Sequence, residues 1–162
     1  MPRVEAEHGE HRTETATSHS VRDTEAIAAG LARSLRGGEC LALYGDLGAG
    51  KTQFTRGLVR GLGGDPSAVS SPTFVLLNVY GRLDEGGRGA RLKVFHLDAY
   101  RVAGPDDFDA IGFAELLDQG DGVVVVEWPA RVEDLLPADR RINVRLTTVS
   151  PRSRKITIER VG

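Results

Sequence analysis

The run Gly45-Asp46-Leu47-Gly48-Ala49-Gly50-Lys51-Thr52 fits G-x-x-x-x-G-K-[ST] without a gap or substitution, the Walker A pattern of a loop that cradles phosphates. Glycines at 45, 48 and 50 let the backbone approach an anion with no Cβ in the way, so successive N–H groups converge on it. A helix starting at Lys51 points its positive end at the same place. Lys51 then reaches the β- and γ-phosphates, and the Thr52 hydroxyl takes one position on Mg2+. Lys51, Lys93 and Lys155 are the only lysines among 21 basic residues, which makes the one in this motif conspicuous.

A magnesium site needs a second anchor, normally an acid at the tip of a central strand. Two acids qualify. Glu127 follows Val123-Val124-Val125-Val126, and Asp98 follows Val94-Phe95-His96-Leu97. The valine strand is the more completely apolar, which favours Glu127 for the metal and leaves Asp98 to orient or deprotonate an attacking water. The residues alone leave the reverse assignment open. Ser71-Pro72-Thr73-Phe74 lies where many nucleotide hydrolases keep a segment that senses the γ-phosphate, although a proline-started edge strand explains it equally well. Trp128, the single tryptophan, adjoins Glu127 and belongs either beside the nucleotide or in a core or partner contact. Guanine-specific hydrolases carry N-K-x-D, and neither Asn78 nor Asn143 is followed by Lys. The base expected is adenine.

These residues require elements to hold them. Ile27, Leu31 and Leu35 recur every four residues from a start at Asp23 or Thr24, one stripe of a helix that Gly37-Gly38 would end. Residues 40–44 form a short apolar run, a buried strand, and Phe54, Leu58 and Leu62 mark the helix after the loop. Residues 74–80 and 91–97 predict two strands too close for a crossover helix, hence an antiparallel hairpin. A helix from Pro105 through Leu117, the valine strand, and strands at 141–146 and 155–160 complete the domain. The expected fold is α/β: a three-layer sandwich of the P-loop NTPase type, with a mixed sheet, parallel at its centre and antiparallel at its ends, and helices on both faces.

Size and composition agree with that outline. The chain has 162 residues, 21 basic against 23 acidic side chains, and 40% hydrophobic content, enough for one core without disulfides or structural metal. The net charge of -2 excludes coating nucleic acid by bulk charge. A single cysteine, Cys40, excludes an internal disulfide and a multi-cysteine zinc site. No apolar run approaches the ~20 residues that span a bilayer, and residues 1–20 show no signal-peptide block, so the expected setting is the cytoplasm. Residues 1–19, with His8, His11 and His19 and no apolar period, read as a disordered tail ahead of a single domain at 20–162.

Taken together, YGDLGAGKT (44–52), SPTF (71–74), HLDAYR (96–101) and VEWPAR (126–131) resemble, in order and spacing, the bacterial TsaE (YjeE) ATPases. The resemblance spans roughly residues 20–160. It implies an ATP-binding loop from Gly45 to Thr52 continuing to Gln53, magnesium ligands at Thr52 and Glu127, and an aspartate important for hydrolysis at Asp98. It further implies nucleotide contacts at Thr73 and Trp128, and adenine-side contacts near Arg22 or Thr24, Arg131, and Arg152 or Arg154. HLDAYRV departs from the family, which more often has a bulky residue after Asp and Leu after Arg; both changes are apolar and bear on packing. The implied function is a Mg2+- and ATP-dependent subunit needed for threonylcarbamoyladenosine at position 37 of tRNAs. Its implied partners are the transferase TsaD and its paralogue TsaB, with tRNA met only through that complex.

Two expectations follow. No motif places an arginine on the γ-phosphate in cis, a group worth about 10³–10⁵ in rate, so turnover alone is expected to be slow and partner-stimulated. A small-molecule kinase is the alternative, with Arg82, Arg88 and Arg91 as a phosphate-closing lid rather than a solvated hairpin loop. The seven basic residues between 140 and 160 read as a solvated strand face, with a tRNA-facing stripe as the other reading.

Overall fold

The computed structural model describes residues 12–70, 77–81, 91–100, 102 and 105–160. Seven strands form one sheet: β1 (Arg12–Ser18), β2 (Cys40–Tyr44), β3 (Leu77–Tyr80), β4 (Lys93–Asp98), β5 (Gly122–Glu127), β6 (Arg141–Thr148) and β7 (Arg154–Arg160). Their spatial order is β1-β7-β6-β2-β5-β4-β3. β6, β2, β5 and β4 run parallel, whereas β3, β7 and β1 pair antiparallel. This is the mixed α/β sheet expected, and the hairpin of β3 on β4 is as expected too. Residues 74–76 of the first predicted strand lie outside the described residues.

The parallel centre is buried on both sides, as unalternating apolar strands require. On one face α1 (Val21–Ala32) and α2 (Lys51–Gly61) lay Leu31, Phe54 and Leu58 against Leu41, Leu43, Val123 and Val125. Phe54 is fully buried, a contribution of about 2–3 kcal/mol for a side chain of that size. On the other face Phe113 and Leu117 of α4 (Phe113–Asp118), with Val132 and Leu136, cover Cys40, Ala42, Val124 and Val126. Burial pushes the Cys40 thiol up to about 12, so it packs as a small apolar group.

α1 and α2 touch along a seam cut by Gly57. A Cβ there would lie 2.2 Å from the Glu25 carbonyl oxygen, so only glycine permits this approach. The seam brings the N-terminus of α1 beside the phosphate loop.

Three local expectations need correction. Residues 12–18 are not a disordered tail: they form β1, paired to β7 from Arg12↔Arg160 to Ser18↔Arg154. Its alternation is of threonines, which favour strands, and not of apolar residues. α1 starts at Val21 with Ser20 as its N-cap, the Ser20 Oγ accepting from the Asp23 N–H while Asp23 reaches back to the His19 N–H. The predicted helix over 105–117 divides into α3 (Pro105–Ala110) and α4, because Gly112 takes φ 74° between them. Of the basic residues of 140–160, read as a solvated strand face, Arg140, Arg145, Arg152 and Lys155 are exposed, and three of the set have local partners. Arg140 pairs with Asp118 at 3.5 Å, the Arg145 guanidinium lies 4.2 Å over the Tyr44 ring, and Arg160 meets Ser34 Oγ.

Candidate functional site

The motif residues occupy the C-terminal ends of the parallel strands, the edge where open α/β sheets hold ligands. β2 ends at Tyr44 and the chain turns through Gly45–Gly50 into α2. Gly50 caps α2 at φ 103°, a left-handed conformation that a side chain would strain. Beside β2, the parallel register of β4 and β5 sets Asp98 directly against Glu127. Both carboxylates are buried, and both line a cavity of about 570 Å3 with Gly48, Gly50, Lys51 and Thr52.

Lys51 Nζ donates to the Gly45 carbonyl at 2.7 Å and lies 3.5 Å from the centroid of the Trp128 ring. Burial lowers the pKa of this ammonium, and Glu127, Asp98 and Asp46 oppose that shift. Trp128 has φ 56°, the one non-glycine residue with positive φ among the described residues. Such backbone strain persists where surrounding contacts over-determine it. Here they include Tyr100, whose ring packs tilted on Trp128 at 5.2 Å, with Arg131 lying 5.5 Å beyond it.

The two acids differ in surroundings. Burial raises the pKa of Asp98, the neighbouring Glu127 raises it further, and the Tyr100 N–H donated at 2.8 Å to Oδ1 works the other way. Glu127 instead receives a buried partner, His96 Nε2 at 2.9 Å from Oε2. The raised pKa of Asp98 suits it to taking a proton from water. Glu127 and the Thr52 hydroxyl offer hard oxygen donors. Among the described residues no three His, Cys, Asp or Glu gather around a cation position. A donor set of one hydroxyl and one carboxylate fits Mg2+, which keeps waters and borrows phosphate oxygens.

A second cavity of about 410 Å3 adjoins across Gly48, Gly50 and Gln53. His19, Ser20, Thr24, Arg152 and Arg154 line it, so three of the residues expected near adenine meet there. Arg22 is exposed on α1 and lines neither cavity, and Arg131 belongs with the aromatic wall instead. Thr73 lies outside the described residues.

Arg154, expected on the adenine side, also makes a contact the sequence did not show, and Arg56 and His96 were not legible as site residues. Arg154 Nη2 donates to the Gly48 carbonyl at 3.2 Å while Nη1 holds Ser150, Pro151 and Ser153, latching the β6–β7 turn to the phosphate loop. Arg56, one turn beyond Thr52, lines the larger cavity with Nη2 on the Val69 carbonyl at 3.3 Å. His96 stands two residues before Asp98 on the same strand face, and that spacing was a signal available in the sequence. Arg91, which only the kinase alternative places in a lid, donates to the Leu35 and Ala32 carbonyls at the end of α1; Arg82 and Arg88 lie outside the described residues.

Comparison with known proteins agrees with this architecture. The profile of the family described as threonylcarbamoyl adenosine biosynthesis protein TsaE matches residues 18–156. A tRNA threonylcarbamoyladenosine biosynthesis protein TsaE from Treponema pallidum is 38% identical over 141 residues, 87% of this chain and 96% of that protein. Its counterpart from Aquifex aeolicus is 39% identical, over 87% of this chain and 92% of that one. A crystal structure of Bacillus subtilis YdiB superposes with a TM-score of 0.69 at 29% identity, covering 94% of this chain and 88% of that one.

Proposed function

This chain belongs to the TsaE family of threonylcarbamoyl adenosine biosynthesis proteins, and from that premise we propose that it is a Mg2+-dependent ATPase subunit. The observation that carries this reading is the meeting of Lys51, Thr52, Asp98 and Glu127 in one cavity beside the glycine loop. The loop's N–H groups and the N-terminus of α2 bind the triphosphate. Lys51 exchanges its present partner, the Gly45 carbonyl, for β- and γ-phosphate oxygens. Thr52 and Glu127 would hold Mg2+, which when bound neutralises charge on those phosphates. Asp98 orients the attacking water and accepts its proton. Trp128 and Tyr100 wall the cavity, and Thr24 and Arg152 receive the adenine end.

In this reading ATP drives a conformational cycle of a TsaB–TsaD complex in the cytoplasm, serving threonylcarbamoylation of adenosine 37, and tRNA is met through that complex. Leu47 and Tyr100, 93% and 50% exposed on the cavity rim, offer apolar surface to such a partner. Calorimetry should record Mg-ATP binding that Lys51→Ala removes, and phosphate release should rise when TsaB and TsaD are added. No heat on titrating Mg-ATP, or turnover indifferent to the partners, overturns the reading.

A further inference from the structure

Behind the Asp98–Glu127 pair runs a buried hydrogen-bond chain that crosses three adjacent strands and that the phosphate-loop chemistry does not use. Glu127 Oε2 on β5 is 2.9 Å from His96 Nε2 on β4. The other nitrogen of that ring, Nδ1, is 3.2 Å from the Tyr80 hydroxyl on β3. The hydroxyl in turn lies 3.1 Å from the Ser70 carbonyl and 3.4 Å from the Ser70 N–H. His96 is wholly buried, and Glu127 and Tyr80 are 4% and 6% exposed, so each unmade bond here would cost a full desolvation penalty.

The donors set the direction of the chain. An ionised Glu127 only accepts, so Nε2 carries a proton. The Tyr80 hydroxyl, 3.2 Å from Nδ1, holds the other side of the ring and has the Ser70 carbonyl as its own acceptor. Ser70 N–H can meanwhile donate to the Tyr80 oxygen. Glu127 Oε2 is thereby anchored, and Oε1 is the oxygen left for a cation.

We propose that His96 is a positioning residue for Glu127, with Tyr80 fixing the orientation of its ring and tying the carboxylate to the backbone at Ser70. The proposal rests on the reading of Glu127 as the Mg2+ ligand. Partners behind a metal ligand orient it and raise its basicity, and losing one typically costs about 10–100-fold in metal affinity.

The experiment uses the full chain, a non-hydrolysable ATP analogue and the emission of Trp128, the only tryptophan. Tyr80→Phe keeps the ring and deletes the hydroxyl, His96→Leu removes both ring nitrogens, and His96→Gln keeps an amide donor for Glu127. Tyr80→Phe and His96→Leu are expected to raise the Mg2+ concentration at half-response about 10-fold or more, and His96→Gln to stay nearer the unsubstituted chain. Analogue binding in EDTA should not change. Nitrogen NMR of the unsubstituted chain should show His96 protonated at Nε2, a result independent of any ligand. A ring without a proton at Nε2, or variants that lose thermal stability while keeping an unchanged Mg2+ requirement, overturns the positioning role. An unsubstituted chain with no Mg2+-dependent response overturns instead the nucleotide reading beneath it.

Discussion

Lys51 and Trp128 are stacked: the ammonium nitrogen sits 3.5 Å from the centre of the indole while it donates a hydrogen bond to the Gly45 carbonyl. The cation is therefore stored against the aromatic face and the loop's own backbone. Phosphate oxygens must draw it away from both. Mg-ATP should accordingly change Trp128 emission in a saturable way, and Lys51→Ala should abolish that change or shift it at least about 10-fold in ligand concentration, a loss of about 1.4 kcal/mol.

Asp98 separates binding from hydrolysis. Asp98→Asn should retain nucleotide affinity by calorimetry while phosphate release falls about 10²–10⁴-fold, the usual worth of a positioned proton acceptor. Because burial raises its pKa, the rate should decline with falling pH from above the ordinary carboxylate range. The stability effect has the opposite sign. A carboxyl whose folded pKa is raised loses stability as pH rises from its unfolded value through its folded one. Asp98→Asn should thus leave the thermal midpoint at pH 7 unchanged or higher.

Arg154 should matter to nucleotide binding although no phosphate-loop pattern includes it. Arg154→Ala frees the turn at Ser150–Ser153 from the Gly48 carbonyl. Calorimetry should show affinity falling roughly 3–10-fold, the scale of one or two hydrogen bonds. Arg154→Lys should not restore it, since an ammonium cannot span several carbonyls as the planar fork does.

Two helix glycines should respond in opposite directions. At Gly57 a methyl would strike the Glu25 carbonyl oxygen at 2.2 Å, so Gly57→Ala should cost about 1–3 kcal/mol as the helices part. At Gly30, inside α1, a Cβ meets nothing within 4 Å. Gly30→Ala should add about 0.5–1 kcal/mol through helix propensity. Thermal melts of the pair check both.

The amino-acid sequence by itself determined the strand, glycine loop and helix from Cys40 to Gly61, the buried valine strand, the β3–β4 hairpin, and the two acids at strand ends. Each is written in a contiguous run whose periodicity or turn chemistry acts within one element. Only the tertiary structure decided that Thr13, Thr15 and Thr17 lie in a strand, because an edge strand exposed along most of its length carries no apolar period. It also decided that Arg91 caps α1, that Arg154 holds Gly48, and that the basic residues of 140–160 serve separate contacts. His96 and Glu127 are 31 residues apart; they meet because β4 and β5 lie side by side in parallel register. Strand order and register arise from burying both faces of the sheet at once, a requirement on the whole chain that no local window of residues contains.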